Sequence, residues 1–120
     1  MGGGSAINGQ IFARGMPEDY DLWASHGNPL WSYEAVLPYL RRIENDHDFT
    51  DDYHGNSGPT PVRRYAASDW LPSQVAYRDA CLAAGFPDCP DLNAPTATGI
   101  GPIPFNNVDG VRYSTALTYL

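Results

Sequence analysis

The chain has 120 residues, enough for one folded unit with a core, and its 42% hydrophobic and 12% aromatic content separates it from intrinsically disordered sequences. Seven basic side chains stand against 14 acidic ones, a formal net charge of -7, and the adjacent basic pairs are limited to Arg41-Arg42 and Arg63-Arg64. Nucleic acid and anionic membrane surfaces are therefore poor partners, because neutralising their phosphates needs clustered cations.

No run of about 18 apolar residues is present to cross a bilayer. Glycines follow Met1 where a secretory leader would carry a basic and then an apolar stretch, so a cytoplasmic location is expected. The 12 glycines and 11 prolines predict many turns and few long helices. Cys81 and Cys89 are too few for a disulfide framework and are expected free, with one bridge between them as the alternative.

The stretch from Gly2 to Gly15 combines backbone freedom, a hydroxyl and an amide in one short run. Its consecutive glycines followed by Ser5 leave main-chain amides uncovered, so a phosphate or another flat polar group can approach closely. Neither a Walker loop nor a Gly-x-Gly-x-x-Gly turn is completed, and a flexible linker or cloning scar also begins this way. Ile7, Ile11 and Phe12 are expected to plant an apolar side in a core, while Asn8 and Gly9 stay near the ligand.

Pro17 suits the first position of a helix whose opening acids, Glu18 and Asp19, face the positive end of the dipole. Tyr20, Trp23 and Ala24 share one face of it as packing residues, and Gly27 ends it, with His26 as a capping or surface group. Ser32 is the predicted N-cap of a second helix from Tyr33 to Glu44, buried through Val36, Leu40 and Ile43. Pro38 predicts a kink there or two abutting short helices.

The run from Asn45 to His54 crowds carboxylates and imidazoles but fails the specific metal patterns. An EF-hand loop from Asp46 would need Gly sixth and Glu twelfth, where Asp51 and Ser57 stand. His47 and His54 are seven apart, unlike the helical zinc spacing, so a solvated acidic loop without metal is expected.

Thr60 to Tyr65 reads as a short strand, started or edged at Pro61. A helix capped by Ser68 or Asp69 is predicted through Val75, Tyr77, Ala80, Cys81 and Leu82, stopping at Gly85. Gly99 to Phe105 alternates in the manner of an edge strand. A turn over Asn106 to Gly110 returns the chain through Val111, Arg112 and Tyr113, and Ser114 caps a last helix. That helix has barely begun at Leu120, which reads as a cut end. There is no internal repeat and no compositional boundary between domains.

In this order the features resemble the glucose-methanol-choline (GMC) family of FAD-dependent oxidoreductases across nearly all 120 residues. The family's first signature is matched by Met1, Gly2, Gly3, Gly4, Ser5, Ile7, Asn8, Phe12, Gly15 and Asp21. Further blocks look similar: Pro17 to Asp21 with Trp23, Trp31 to Tyr33 with Val36 to Tyr39, His54-Gly55 with Gly58-Pro59, and Arg112 with Ser114. A cloning scar would not be followed by such matches, so the linker explanation falls away.

The resemblance implies an α+β fold: part of an FAD-binding region, plus part of a substrate-domain sheet with short helices. Residues 1-60 would form the FAD-contacting segment and helical extension, and residues 61-120 a partial substrate-binding domain. Gly3, Gly4, Ser5, Asn8, Gly9 and Ile11 would lie along FAD. Family members that hold flavin covalently carry a His where Ile7 stands, so non-covalent FAD is implied.

The family's dinucleotide turn, second signature and catalytic His region have no counterpart here, and none of His26, His47 or His54 is assigned catalysis. The implied function is a segment of an enzyme that oxidises CH-OH groups of small alcohols, inactive without the missing parts of its parent chain. The alternative is a stand-alone interaction module with an aromatic-rich surface.

Overall fold

Proline opens two of the helices. In the computed structural model, which describes residues 1–120, α1 spans Pro17–Ser25 and α3 spans Pro72–Ala83, each with its proline in the first turn. There the missing N–H costs nothing, since the first amides of a helix have no intrahelical partner. Asp19 reaches back to accept a hydrogen bond from the Met16 amide at 2.9 Å, and Gln74 does the same for Leu71 at 2.8 Å. Leu71 is thus the N-cap of α3. The predicted caps Ser68 and Asp69 belong instead to a separate 3-10 turn over Ala67–Asp69.

Between these helices α2 runs over Tyr33–Ile43, with the Ser32 hydroxyl accepting from the Ala35 amide as predicted. Pro38 lies inside α2, which is assigned as one run of 11 residues rather than two abutting helices. Its buried stripe is weaker than predicted, because Val36 and Leu40 are half-buried and Ile43 is exposed. Around it Tyr20, Trp23, Trp31 and Tyr33 make a chain of aromatic contacts with centroids 5.6–6.1 Å apart.

α2 passes directly into β1, Glu44–Asp46, which pairs in parallel with β2, Thr60–Val62, in the register Glu44↔Thr60 and Asp46↔Val62. The connection between them carries no helix; it folds back on β1 through glycine. Gly58 donates to the Glu44 carbonyl at 2.8 Å, and the Gly55 carbonyl accepts from the Asp46 amide at 2.7 Å. A Cβ on Gly55 would stand 1.8 Å from the Arg41 carbonyl oxygen, so only glycine fits this approach.

The predicted strand Gly99–Phe105 is absent. The segment is joined to its neighbours by isolated bridges, Asp88↔Ile100, Ile11↔Phe105 and Arg63↔Phe105. Pro102 and Pro104 lack the amide hydrogens that would extend a ladder. Next, β3, Asn107–Val108, and β4, Val111–Arg112, form an antiparallel hairpin. Its turn residues Asp109 and Gly110 have φ of 50° and 77°, the left-handed pair that a two-residue hairpin turn needs. The chain finishes in α4, Thr115–Thr118, with Ser114 at the N-cap position but making no side-chain capping bond.

The fold is open, with a radius of gyration of 15.7 Å, against about 13.6 Å for an isolated domain of this length. Its surface of 7596 Å² exceeds the roughly 6,400 Å² typical of a monomer of this mass. Ile7, Leu30, Trp31 and Leu120 are among the exposed apolar side chains, and buried positions are mostly polar. No helix is long and apolar enough to cross a membrane.

The Gly55 approach generates a direct test. Gly55→Ala is expected to lower the unfolding free energy by about 1–3 kcal/mol or more, as overpacking against a fixed backbone does. Denaturant unfolding of the variant beside the parent sequence measures it.

Candidate cofactor site

Gly3–Ala6 form a short 3-10 turn. Nothing lies within 4 Å of where a Cβ would stand on Gly3 or on Gly4. These two residues therefore present bare backbone to open space, as a cradle for a flat polar group requires. Ser5 is largely spoken for: its hydroxyl donates to the Gly2 carbonyl and accepts from the Thr115 amide at 2.9 Å. The Thr115 hydroxyl closes the same knot on the Gly2 carbonyl at 3.0 Å.

Asn8 is exposed and its amide orientation is determined by its partners. The Gln10 amide and an Arg112 guanidinium nitrogen, both donors only, each lie 2.9 Å from Oδ1. The Asn8 NH₂ is thereby turned away from them and makes no hydrogen bond within the chain. Contrary to expectation, Ile7 and Ile11 are not planted in a core. They are 85% and 53% exposed, and Phe12 alone of the three is half-buried. Gly3, Gly4, Asn8, Gly9, Ile7 and Ile11 therefore share one exposed stretch, which holds all the cofactor candidates except half-buried Ser5.

Arg14, just beyond this stretch, enters a buried charge cluster that sequence reasoning missed. The predicted solvated acidic loop is corrected here: Asp46 and His54 are 4% and 2% exposed, while Asp48, Asp51 and Asp52 face solvent. His54 Nε2 is 2.9 Å from Asp91 Oδ2. Its Nδ1 is shared between Asp46 Oδ2 at 3.1 Å and Glu44 Oε2 at 3.5 Å, aligned with neither for a full hydrogen bond. Arg14 pairs with Glu44, and Arg64 bridges Asp46 and Asp91, each at 2.9 Å.

Glu44, Asp46 and His54 offer ligand atoms within 4.8 Å of one another. The charges nevertheless balance without an ion, since two guanidiniums and a protonated imidazole face three buried carboxylates. Burial would lower the His54 pKa, but its contacts with Asp46, Asp91 and Glu44 outweigh that and push it up to about 11. Burial likewise opposes the ionised Asp46 and Asp91. His54, with Arg64 beside it, still holds both carboxyls below their usual range. The cluster is thus a neutral knot tying β1, His54, Arg14, Arg64 just beyond β2, and the Asp91 turn together. The signal available in the sequence was His54-Gly55, whose second residue makes the close approach.

The glycine turn thus leaves bare backbone and an outward amide, and the stretch that carries them ends in a buried ion pair. The chain matches the family model for GMC oxidoreductase over residues 1–120 and belongs to that family, which is a family of enzymes. It is 40% identical over 121 residues to a 5-(hydroxymethyl)furfural oxidase from Methylovorus sp. (strain MP688), covering 100% of this chain and 23% of that protein. It is 39% identical to an oxygen-dependent choline dehydrogenase from Vibrio vulnificus, covering 100% of this chain and 21% of that one.

Among solved structures it superposes on pyridoxine 4-oxidase from Mesorbium loti with a TM-score of 0.88 and 28% identity, over 96% of this chain and 23% of that one. An FAD-dependent oxidoreductase from Chaetomium thermophilum matches with a TM-score of 0.84 and 25% identity, over 97% and 22% of the two chains. The chain thus spans less than a quarter of the length of these relatives. The α+β reading and the family resemblance both stand.

The charge knot makes pH-dependent stability testable. A raised His54 pKa stabilises fully below its ordinary 6.5 and is lost as pH climbs toward about 11. The lowered carboxyls stabilise above their ordinary 3.8 and lose that below it. Stability is expected to be greatest between those two ordinary values. His54→Ala should cost about 3–5 kcal/mol by stranding buried carboxylates and remove the alkaline decline, read from unfolding midpoints across pH.

Proposed function

We propose that this chain supplies one wall of the FAD site, and part of the substrate domain, in an oxidoreductase acting on CH-OH groups of small alcohols. The observation that carries the reading is the bare Gly3–Gly4 backbone beside the outward Asn8 amide, in a chain that matches the family throughout. The chemistry supplied by bound FAD is acceptance of a hydride from the CH-OH carbon.

The residues present fit that cofactor. Gly3, Gly4 and Gly9 leave room for close backbone approach, and Asn8 donates from its free NH₂. Ser5 contributes mainly by holding the turn, since its hydroxyl proton goes to Gly2. Ile11 offers exposed apolar surface and a main-chain contact. We take FAD to be non-covalent, because Ile7 has no nucleophile to form a link. Residues 1–60 carry the FAD-contacting segment in this reading, and residues 61–120 begin the substrate domain. Other parts of a longer parent chain provide the dinucleotide turn and the catalytic base.

The open shape supports a larger assembly: the excess surface and exposed Leu30, Trp31 and Leu120 are what packing on further chain would cover. The full-length family match favours this reading over a stand-alone interaction module. We place the enzyme in the cytoplasm, where the two unpaired thiols of Cys81 and Cys89 would persist.

The test begins with the full-length protein that carries these residues. It is expected to be yellow and to release intact FAD into the supernatant on acid precipitation. Colourless protein that FAD cannot reconstitute would sink the cofactor assignment, and flavin retained in the pellet would overturn its non-covalent attachment. Gly4→Ala is expected to leave the unfolding midpoint nearly unchanged while weakening FAD binding about tenfold or more, a loss of roughly 1.4 kcal/mol. Titration of the apoprotein with FAD, followed by flavin fluorescence, measures the second effect.

A further inference from the structure

Arg112 meets the cofactor turn from the far end of the sequence. One of its guanidinium nitrogens, Nη1, lies 2.6 Å from the Asn8 carbonyl, 2.9 Å from Asn8 Oδ1 and 3.3 Å from the Ser5 carbonyl. Three oxygens of one turn thus converge on one nitrogen. Arg112 takes part in no ion pair, unlike Arg14, Arg64 and Arg78. Its charge is satisfied only by the neutral oxygens of the turn.

The platform carrying Arg112 is itself stitched to Gln10. The Asn106 amide donates to the Gln10 carbonyl at 2.8 Å, and the Asn107 side-chain amide donates to Gln10 Oε1 at 2.7 Å. Gln10 has φ of 64°, a left-handed conformation that a non-glycine residue holds only when its surroundings impose it. The hairpin β3–β4 therefore fixes Gln10, and Gln10 with Arg112 fixes which way the Asn8 amide faces.

We propose that Arg112 is a positioning residue for the cofactor: by taking Asn8 Oδ1 and the turn carbonyls, it holds the Asn8 NH₂ toward FAD. The proposal rests on the reading that Asn8 faces FAD. Without the guanidinium, Asn8 Oδ1 keeps only the Gln10 amide as a partner, and the side chain is free to rotate away from the ligand. Lysine restores the charge and one donor nitrogen, but on a flexible stem that does not fix that nitrogen in place, so it restores the hold only in part.

The experiment uses full-length protein carrying Arg112→Ala, Arg112→Lys, Asn8→Ala and the Arg112→Ala/Asn8→Ala pair. FAD dissociation constants and the position of the visible flavin bands are read, with far-UV circular dichroism as the check on folding. Arg112→Ala is expected to weaken FAD about tenfold and shift the flavin bands in the same direction as Asn8→Ala, with Arg112→Lys between it and the parent. The double variant should be no weaker than the weaker single one, because both changes remove one interaction.

Effects that simply multiply, or an Arg112→Ala protein with unchanged affinity and spectrum beside a weakened Asn8→Ala, overturn the positioning role and leave the FAD reading intact. If Asn8→Ala itself changes neither readout, the contact of Asn8 with FAD fails, and the proposal with it. Should Arg112→Ala not fold, Arg112→Lys with and without Asn8→Ala decides by the same coupling, and strictly multiplicative effects there also overturn it.

Discussion

A buried imidazole surrounded by three carboxylates holds this structure together. His54 reaches Asp91 with one ring nitrogen and Asp46 and Glu44 with the other, while Arg14 and Arg64 supply the remaining positive charge. Burying so many charges is unfavourable unless each is compensated, and here the geometry compensates them nearly one for one. The core that results is largely polar: Pro61, Val62, Cys89 and Pro104 are its buried apolar side chains, among Glu44, Asp46, His54, Arg64, Asp91 and Asn93. Directional contacts replace the permissive packing of aliphatic chains, so the arrangement tolerates few alternatives.

Much else hangs from that knot. Arg14 brings the end of the glycine-rich stretch onto Glu44 and also donates to the Tyr53 carbonyl at 2.6 Å. Asn93 continues the support, donating to the Phe12 carbonyl at 2.9 Å and accepting from the Arg14 amide at 3.0 Å. The glycine-rich stretch is thus held at its end by charge and, at Ser5 and Asn8, by Thr115 and Arg112.

What the sequence disclosed follows the range of each interaction. The glycine turn, the Ser32 cap and the Asp109-Gly110 hairpin turn depend on neighbours within a few residues, and all were readable. Leu71 as the cap of α3 was readable too, from Pro72 and Gln74, but the hydroxyl at Ser68 is the more familiar signal and competed with it. The charge knot was hidden for a different reason. Glu44, Asp46, His54, Arg64 and Asp91 each look like ordinary solvated residues, and only their convergence from distant positions makes them a core. Gly99 to Phe105 failed in the opposite sense: its alternation was real, but Pro102 and Pro104 limit it to single bridges.

The knot of Ser5 with Thr115, and of Asn8 with Arg112, joins positions 110 and 104 residues apart. During synthesis the glycine turn therefore emerges well before its partners. At ribosomal speeds of 5–20 residues per second the interval is roughly 5–20 s. For that time the emerging turn has no Arg112 to orient Asn8 and no Thr115 to hold Ser5. Closure of the turn is therefore gated by the arrival of the return hairpin rather than by the appearance of the glycines themselves.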